Sequence, residues 1–292
     1  MQLWSGLYRL LACTAFAAAI AAGQVSLVDD TGAAVSLRAP ARRVVSLAPS
    51  MTETLFAVGA GDRIVGVTDY CNYPPEARRL PHVGGMINPN IETIVALKPD
   101  VVLISMEGNI RDDYRKLTSL GIPVFVSNPR TLDDIYRSIT QIGALTGQGE
   151  GAARTVQEMK VREQAARARA GKTPVRSLLV VSIHPLIVAG RNTFINELLV
   201  AAGGVNLAAY AKGNYPAYSR ETVVANNPDA ILIASDAIGD VTTLTRTFPE
   251  WTIVSAVRHR RVFAVNADLV SRPGPRAVLA LESLVHLLHP AP

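Results

Sequence analysis

Cysteine, tryptophan and charge are all scarce in this chain. Two cysteines and two tryptophans occur in 292 residues, aromatic residues make up 5% and charged residues 18%. Cys13 and Cys71 alone exclude a disulfide-built scaffold and a cysteine-rich metal site. With 49% apolar residues, low charge density argues against disorder and against a coiled coil. The net charge of +5 is mild. Its densest basic cluster, Arg258-His259-Arg260-Arg261, has no interleaved aromatics, so no nucleic-acid groove is expected. The apolar run at residues 10–23 is fourteen residues long, short of the roughly 20 that span a bilayer.

That run follows Arg9 and ends in Ala21-Ala22-Gly23, the pattern of an export leader, with the mature chain expected from about Gln24. The alternative is a lipid anchor, because Leu10-Leu11-Ala12-Cys13 resembles a lipobox. Soluble export is the preferred expectation. Removing the leader leaves Cys71 as the single thiol, so no intramolecular disulfide is expected. Such a thiol is either a small buried hydrophobe or a reactive or ligating group.

The rest of the chain alternates β-rich and amphipathic segments. Strands are expected at 43–47, 64–68, 101–105, 124–127, 177–182, 230–234 and 262–265. Helices are expected at 51–58, 91–97, 110–120, 132–145, 193–202, 221–225 and 275–288. Strands apolar on both faces between helices indicate α/β layers with parallel sheets. An internal repeat sharpens this: Glu92-Thr-Ile-Val-Ala-Leu-Lys-Pro-Asp-Val-Val-Leu-Ile104 recurs 129 residues later as Glu221-Thr-Val-Val-Ala-Asn-Asn-Pro-Asp-Ala-Ile-Leu-Ile233, with eight of thirteen positions identical. Looser echoes pair 124–128 with 262–266 and 52–61 with 195–204. A period this long implies two similar α/β lobes rather than a solenoid. Between them, residues 147–171 are rich in Ala, Arg, Glu and Gln and predict a stiff connecting helix.

Motifs for catalysis are missing. There is no Gly-x-Ser-x-Gly elbow, no phosphate loop and no His-Glu-x-x-His. Glu282, His286 and His289 share helical spacing, which reads more simply as a solvated helix face than as a metal site. His184 precedes Pro185 at a strand end, where it could face a cleft. Several loops fall at the carboxyl ends of strands, where α/β folds bind ligands. These are 68–75, 82–86 and 266–276, with 212–218 ahead of the second repeat. Tyr, Asp and Arg in loops fixed by Gly and Pro suit a medium-sized organic or metallo-organic ligand. Glu92 and Glu221 occupy equivalent first turns of helices, with Asn90 and Ser219 as expected N-caps. Two readings stand side by side: carboxylates complementing helix dipoles, or a two-fold-related acidic pair for docking a symmetric partner.

Four motifs carry a family likeness: Arg43-Val-Val-Ser-Leu-Ala-Pro-Ser-Met-Thr-Glu53, Gly66-Val-Thr-Asp-Tyr-Cys-Asn-Tyr-Pro74-Pro75, Val83-Gly-Gly-Met-Ile-Asn-Pro-Asn-Ile-Glu92 and Arg272-Pro-Gly-Pro-Arg276. They resemble the helical-backbone periplasmic binding proteins of ABC importers, in particular the cobalamin-binding branch. The resemblance implies an α/β fold of two Rossmann-like lobes with parallel sheets bridged by one long rigid α-helix. It divides the chain into a leader (1–23), an N-terminal lobe (24–146), a connecting helix (147–171) and a C-terminal lobe (172–292). It also implies a periplasmic protein without enzymatic activity, holding a small-molecule ligand between its lobes and needing no cofactor of its own. That ligand would be cobalamin or another metal chelate. Tyr70, Met86, Tyr215, Asp268 and Arg272 fall at ligand-binding positions. Glu92 and Glu221 fall at positions that dock an ABC permease dimer in the inner membrane. Met86 and Ser105 stand where the cobalamin binder has tryptophans, and Tyr215 where another is found. Iron–siderophore or haem is therefore the alternative ligand. A secreted α/β enzyme using Cys71 or the histidines is the alternative of another class.

Overall fold

A computed structural model describes residues 23–109, 111–237 and 244–290. The expected leader, with Trp4 and Cys13, and Ile110 of the expected third helix lie outside the described residues.

The chain opens with an antiparallel hairpin, β1 (Val25–Val28) and β2 (Ala34–Leu37). Asp29 and Asp30 fasten it to the first lobe by accepting from the backbone N–H groups of Val126 and Asn128. That lobe then runs β3 (Val44–Ser46), α1 (Pro49–Ala57), β4 (Ile64–Val67), α2 (Ile91–Ala96), β5 (Val101–Ser105), α3 (Arg111–Ser119), β6 (Val124–Ser127) and α4 (Leu132–Leu145). Its strands form an all-parallel sheet in the order β4-β3-β5-β6. Helix α5 (Gly149–Arg169) follows.

The second lobe comprises β7 (Val175–Ile183), β8 (Leu186–Val188), α6 (Phe194–Ala201), β9 (Gly204–Asn206), α7 (Arg220–Asn226), β10 (Ala230–Ala234), α8 (Leu244–Thr247), α9 (Ser255–Arg258), β11 (Val262–Val265), α10 (Ala267–Ser271) and α11 (Ala277–Leu288). Strands β11, β10, β7 and β9 run parallel, and β8 adds an antiparallel edge. The expected strands and helices of both lobes appear. The hairpin β1–β2, the short strands β8 and β9, and α8, α9 and α10 are additions.

The repeat has a structural counterpart. Lys98 and Asn227, 129 residues apart, both take a left-handed backbone, with φ of 47° and 42°. Each ends its helix just before Pro-Asp, since proline cannot continue the helical ladder. Arg43 donates to the carbonyls of Leu97 and Lys98, and Arg176 donates to those of Asn226 and Asn227. In each lobe an arginine at the start of the sheet's first strand, just before β3 or as the second residue of β7, thus satisfies helix-end carbonyls that would otherwise lack partners.

Helix α5 has 21 residues and spans about 31 Å at 1.5 Å per residue. Gly151 lies so close to α1 that a Cβ there would collide with the Val58 carbonyl oxygen. Thr155 Oγ1 donates to Ala57 O at 3.1 Å, and Tyr136 Oη donates to Glu163 at 2.6 Å. Toward the second lobe, Arg162 makes a two-pronged pair with Glu282 at 2.7 and 2.8 Å. One apolar cluster runs from Leu55 and Ile139 through Met159 and Ala166 to Leu198 and Leu281, so both lobes share a core along α5. Glu282 is therefore an anchor for α5. His289 packs between Gly171 and Gly203, leaving only His286 of that expected face exposed. Among the described residues no helix is long and apolar enough to cross a membrane.

Candidate functional site

The carboxyl ends of β3, β4 and β5 release the first lobe's loops along one rim. Asn109 ties them together: its Oδ1 accepts from Ser105 N at 2.8 Å, while its Nδ2 donates to Leu47 O at 3.1 Å and Met86 O at 2.6 Å. The thioether of Met86 lies over Gly108, beside Ser105, so that a side chain at 108 would have to push the Met86 methyl aside. Met86 and Ser105 are thus neighbours. Tyr70 is 59% exposed, and its ring borders Gly85, one residue from Met86. Tyr70, Met86 and Ser105 therefore form a continuous stretch of rim.

Opposite, β11 ends in Asn266, whose side chain caps α10 by accepting from Leu269 N. Asp268 and Arg272, one turn apart, pair at 2.6 Å. Arg272 also crosses to the first lobe, reaching Asn72 Oδ1 at 2.7 Å and Glu53 Oε1 at 3.1 Å. Asn72 Nδ2 donates back to Asp268 at 3.2 Å. Arg276 binds both oxygens of Glu53, at 2.6 and 2.7 Å, and stacks its guanidinium 4.1 Å from the centre of the Tyr73 ring. Gly274 brings this loop to 3.2 Å from Ser50 O, measured from where a Cβ would lie. The Glu53 side chain is only 2% exposed, a burial that requires cations around it. Burial works against the Arg276 cation, but the hydrogen bonds and charge of Glu53 outweigh it and raise its pKa above the usual guanidinium value.

A second bridge joins the lobes elsewhere. Arg130 pairs with Glu107 and donates to Asn192 O at 3.2 Å. Beside it opens a cavity of about 510 Å³, bordered by Arg130 and Thr131 on one lobe and by Arg191, Glu197 and Asn214 on the other. Tyr215, adjacent to Asn214, is 42% exposed, yet the atoms packed around it and then the charge of Glu107 raise its phenol to about 12. Its hydroxyl stays neutral, and able to donate, throughout the physiological range.

Of the residues expected to bind ligand, Tyr70 and Met86 share one rim, and Asp268 and Arg272 face the same loop through Asn72. Tyr215 stands apart, near the Arg130 bridge. Glu53 and Asn72 fall inside the family motifs but were given no role there, and Asn109 and Arg130 escaped the sequence reading. The signal for Glu53 was an acid within helix α1, otherwise apolar or hydroxylic, which demands a buried partner.

Cys71 does not face this seam. Its thiol is 1% exposed and lies 3.1 Å from Thr52 Oγ1 and 3.2 Å from Thr68 Oγ1. His184 stacks on Phe248 at 6.2 Å between ring centres. No cluster of three candidate metal ligands occurs among the described residues. Glu92 and Glu221 stand exposed in the first turns of α2 and α7, capped by Asn90 and Ser219 as expected. Its own backbone N–H and the Ser219 side chain hold the Glu221 carboxyl below its usual range.

Two similar lobes on one stiff helix, meeting across charged bridges beside exposed tyrosines, have the architecture of a solute-binding protein. The family model described as periplasmic binding protein matches residues 44–269, and the chain belongs to that family. It is 33% identical over 247 residues to a vitamin B12-binding protein of Vibrio cholerae serotype O1, covering 84% of this chain and 88% of that protein. The crystal structure of the periplasmic vitamin B12-binding protein of Vibrio cholerae superposes with a TM-score of 0.79 at 33% identity, over 85% of this chain and 97% of that one. An ABC transporter substrate-binding lipoprotein of Bacillus subtilis is 32% identical over 275 residues, 91% of this chain and 86% of that protein. A periplasmic haem-binding protein from Roseiflexus superposes with a TM-score of 0.77 at 29% identity, over 85% of this chain and 98% of that one.

Proposed function

We propose that this protein captures cobalamin or a related corrinoid between its lobes, outside the cytoplasm, and delivers it to an ABC permease. The observation that carries the ligand class is the 33% identity to a vitamin B12-binding protein across 84% of the chain. The site supports it with flat, exposed Tyr70 beside Met86 and with a directional Asp268–Arg272 pair across the seam. Tyr215 is assigned a separate contact from the second lobe, at the Arg130 bridge. Residues 1–23 are read as the export leader, 24–146 and 172–292 as the lobes, and 147–171 as the connector. Glu92 and Glu221 dock the permease dimer, one carboxylate to each subunit.

Haem is the second reading, favoured by the haem-binding neighbour at 29% identity and by an exposed phenol at Tyr70. Isothermal titration of the mature protein with cyanocobalamin, haemin and a ferric-siderophore panel separates the two. One-to-one submicromolar cobalamin binding is expected. Heat from haemin or a siderophore alone would replace the ligand and leave the family assignment intact.

A further inference from the structure

Two arginines, one from each lobe, meet at one end of the seam. The rim of the first lobe follows its strand order: Tyr70 comes after β4, Ser105 closes β5, and Arg130 follows β6 at the sheet edge. Across the seam Arg191 follows β8, the edge strand of the second lobe. Both arginines border the cavity of about 510 Å³, together with Asn196, Glu197 and Asn214. Glu107 connects this cavity to the rest of the rim, since it stands two residues after Ser105 and pairs with Arg130. Tyr215, next to Asn214, lies within reach of the charges of both Glu107 and Arg130.

The groups around the cavity have donors to spare. Arg130 uses one terminal nitrogen, Nη1, for both Glu107 and Asn192 O, which leaves Nε and Nη2 of its fork. Asn196 accepts from Asn206 through Oδ1 at 2.9 Å and keeps its own NH2 to donate. Arg191 has no carboxylate within ion-pair distance among the described residues. Its guanidinium instead lies 5.9 Å from the centre of the Tyr210 ring, a flat platform that is 93% exposed. The one carboxylate in the lining, Glu197, has Arg167 3.8 Å away.

We propose that this end of the seam is a subsite for an oxyanion carried on the edge of the bound ligand, a phosphodiester or a carboxylate, held by the Arg191 and Arg130 forks while a flat macrocycle lies along Tyr70 and Met86, an assignment that rests on the ligand reading given above. A guest here must bring acceptors, because the side chains that meet it are mainly donors. Charged oxygens make the shorter and stronger bonds to guanidinium groups, and two of them match one fork. A neutral amide edge would turn part of its own N–H groups toward other donors.

The test is isothermal titration of the mature protein with two pairs of ligands. Cyanocobalamin carries a phosphodiester that dicyanocobinamide lacks on the same ring, and haemin carries two carboxylates that its dimethyl ester masks. Arg191→Gln changes an exposed residue, so its melting temperature should match the native one. It should bind cyanocobalamin about tenfold more weakly and dicyanocobinamide within twofold of the native protein. Arg191→Lys, which keeps the charge and loses the fork, should fall between. Equal loss for both corrinoids, or no loss for either, overturns the subsite and leaves the corrinoid reading standing. Binding of haemin without either corrinoid replaces the ligand instead. The subsite then survives if Arg191→Gln weakens haemin and spares its ester, and falls if it does not. A native protein that binds none of the four overturns both readings.

Discussion

Glu53 belongs to a helix in which every residue from Pro49 to Leu55 is buried. A carboxylate there persists only when charge and hydrogen bonds are both supplied, and Arg272 and Arg276 supply them from the other lobe. Glu53→Gln would leave two guanidinium groups facing one neutral amide. Breaking a buried pair from one side costs about 3 kcal/mol, so the urea midpoint of this variant should fall. Ligand affinity should drop with it, since Arg272 then keeps only Asp268 and Asn72 to position it. An unchanged midpoint would show that solvent already screens the seam. The motifs exposed Arg272, Arg276 and Glu53 as residues but not as one cluster. Cys71 is the converse case. Its position beside Tyr70 suggests access to the cleft, yet the loop turns inward and the thiol joins Thr52 and Thr68 in the core.

At the scale of elements, α5 was legible from composition because Ala, Arg, Glu and Gln over twenty residues favour a helix whatever they touch. Its contacts were not legible. Gly149 and Gly151 look like linker residues in a sequence, but both lie within the helix, and Gly151 permits the approach to Val58. Gly151→Ala should gain about 1 kcal/mol in helix propensity. Forcing a methyl into an immovable backbone carbonyl costs about 1–3 kcal/mol. Net destabilisation is expected, together with a raised rate of amide exchange where α1 meets α5. A stabilised variant would mean that α1 yields. Elements of three to five residues, such as β8, β9, α8, α9 and α10, show no period of their own and depend on packing for their form.

For the whole molecule, the repeat sets Glu92 and Glu221 in matching turns of two similarly ordered sheets, each following its strand order with the same parallel sense. The proposed docking onto a symmetric permease would use both carboxylates. Glu92→Ala combined with Glu221→Ala should bind cyanocobalamin as the native protein does and lose stimulation of transport by the reconstituted importer. Transport that survives both changes would reject this docking. The core running unbroken along α5, with charged bridges at Glu53 and Arg130, also favours small lobe movements over a wide opening.

The sequence by itself determined the α/β class, the two-lobe repeat, the long helix and the capped turns that carry Glu92 and Glu221. Those features arise from hydrophobic period, helix propensity and neighbours three or four residues away. Only the tertiary structure decided that Glu53 meets Arg272 and Arg276 across 219 and 223 residues of chain, that Met86 rests on Gly108, and that one Asp113 oxygen is buried without a partner. Such pairings depend on how two lobes and their loops pack in space, and local sequence pattern carries no record of which distant charge will be buried against which.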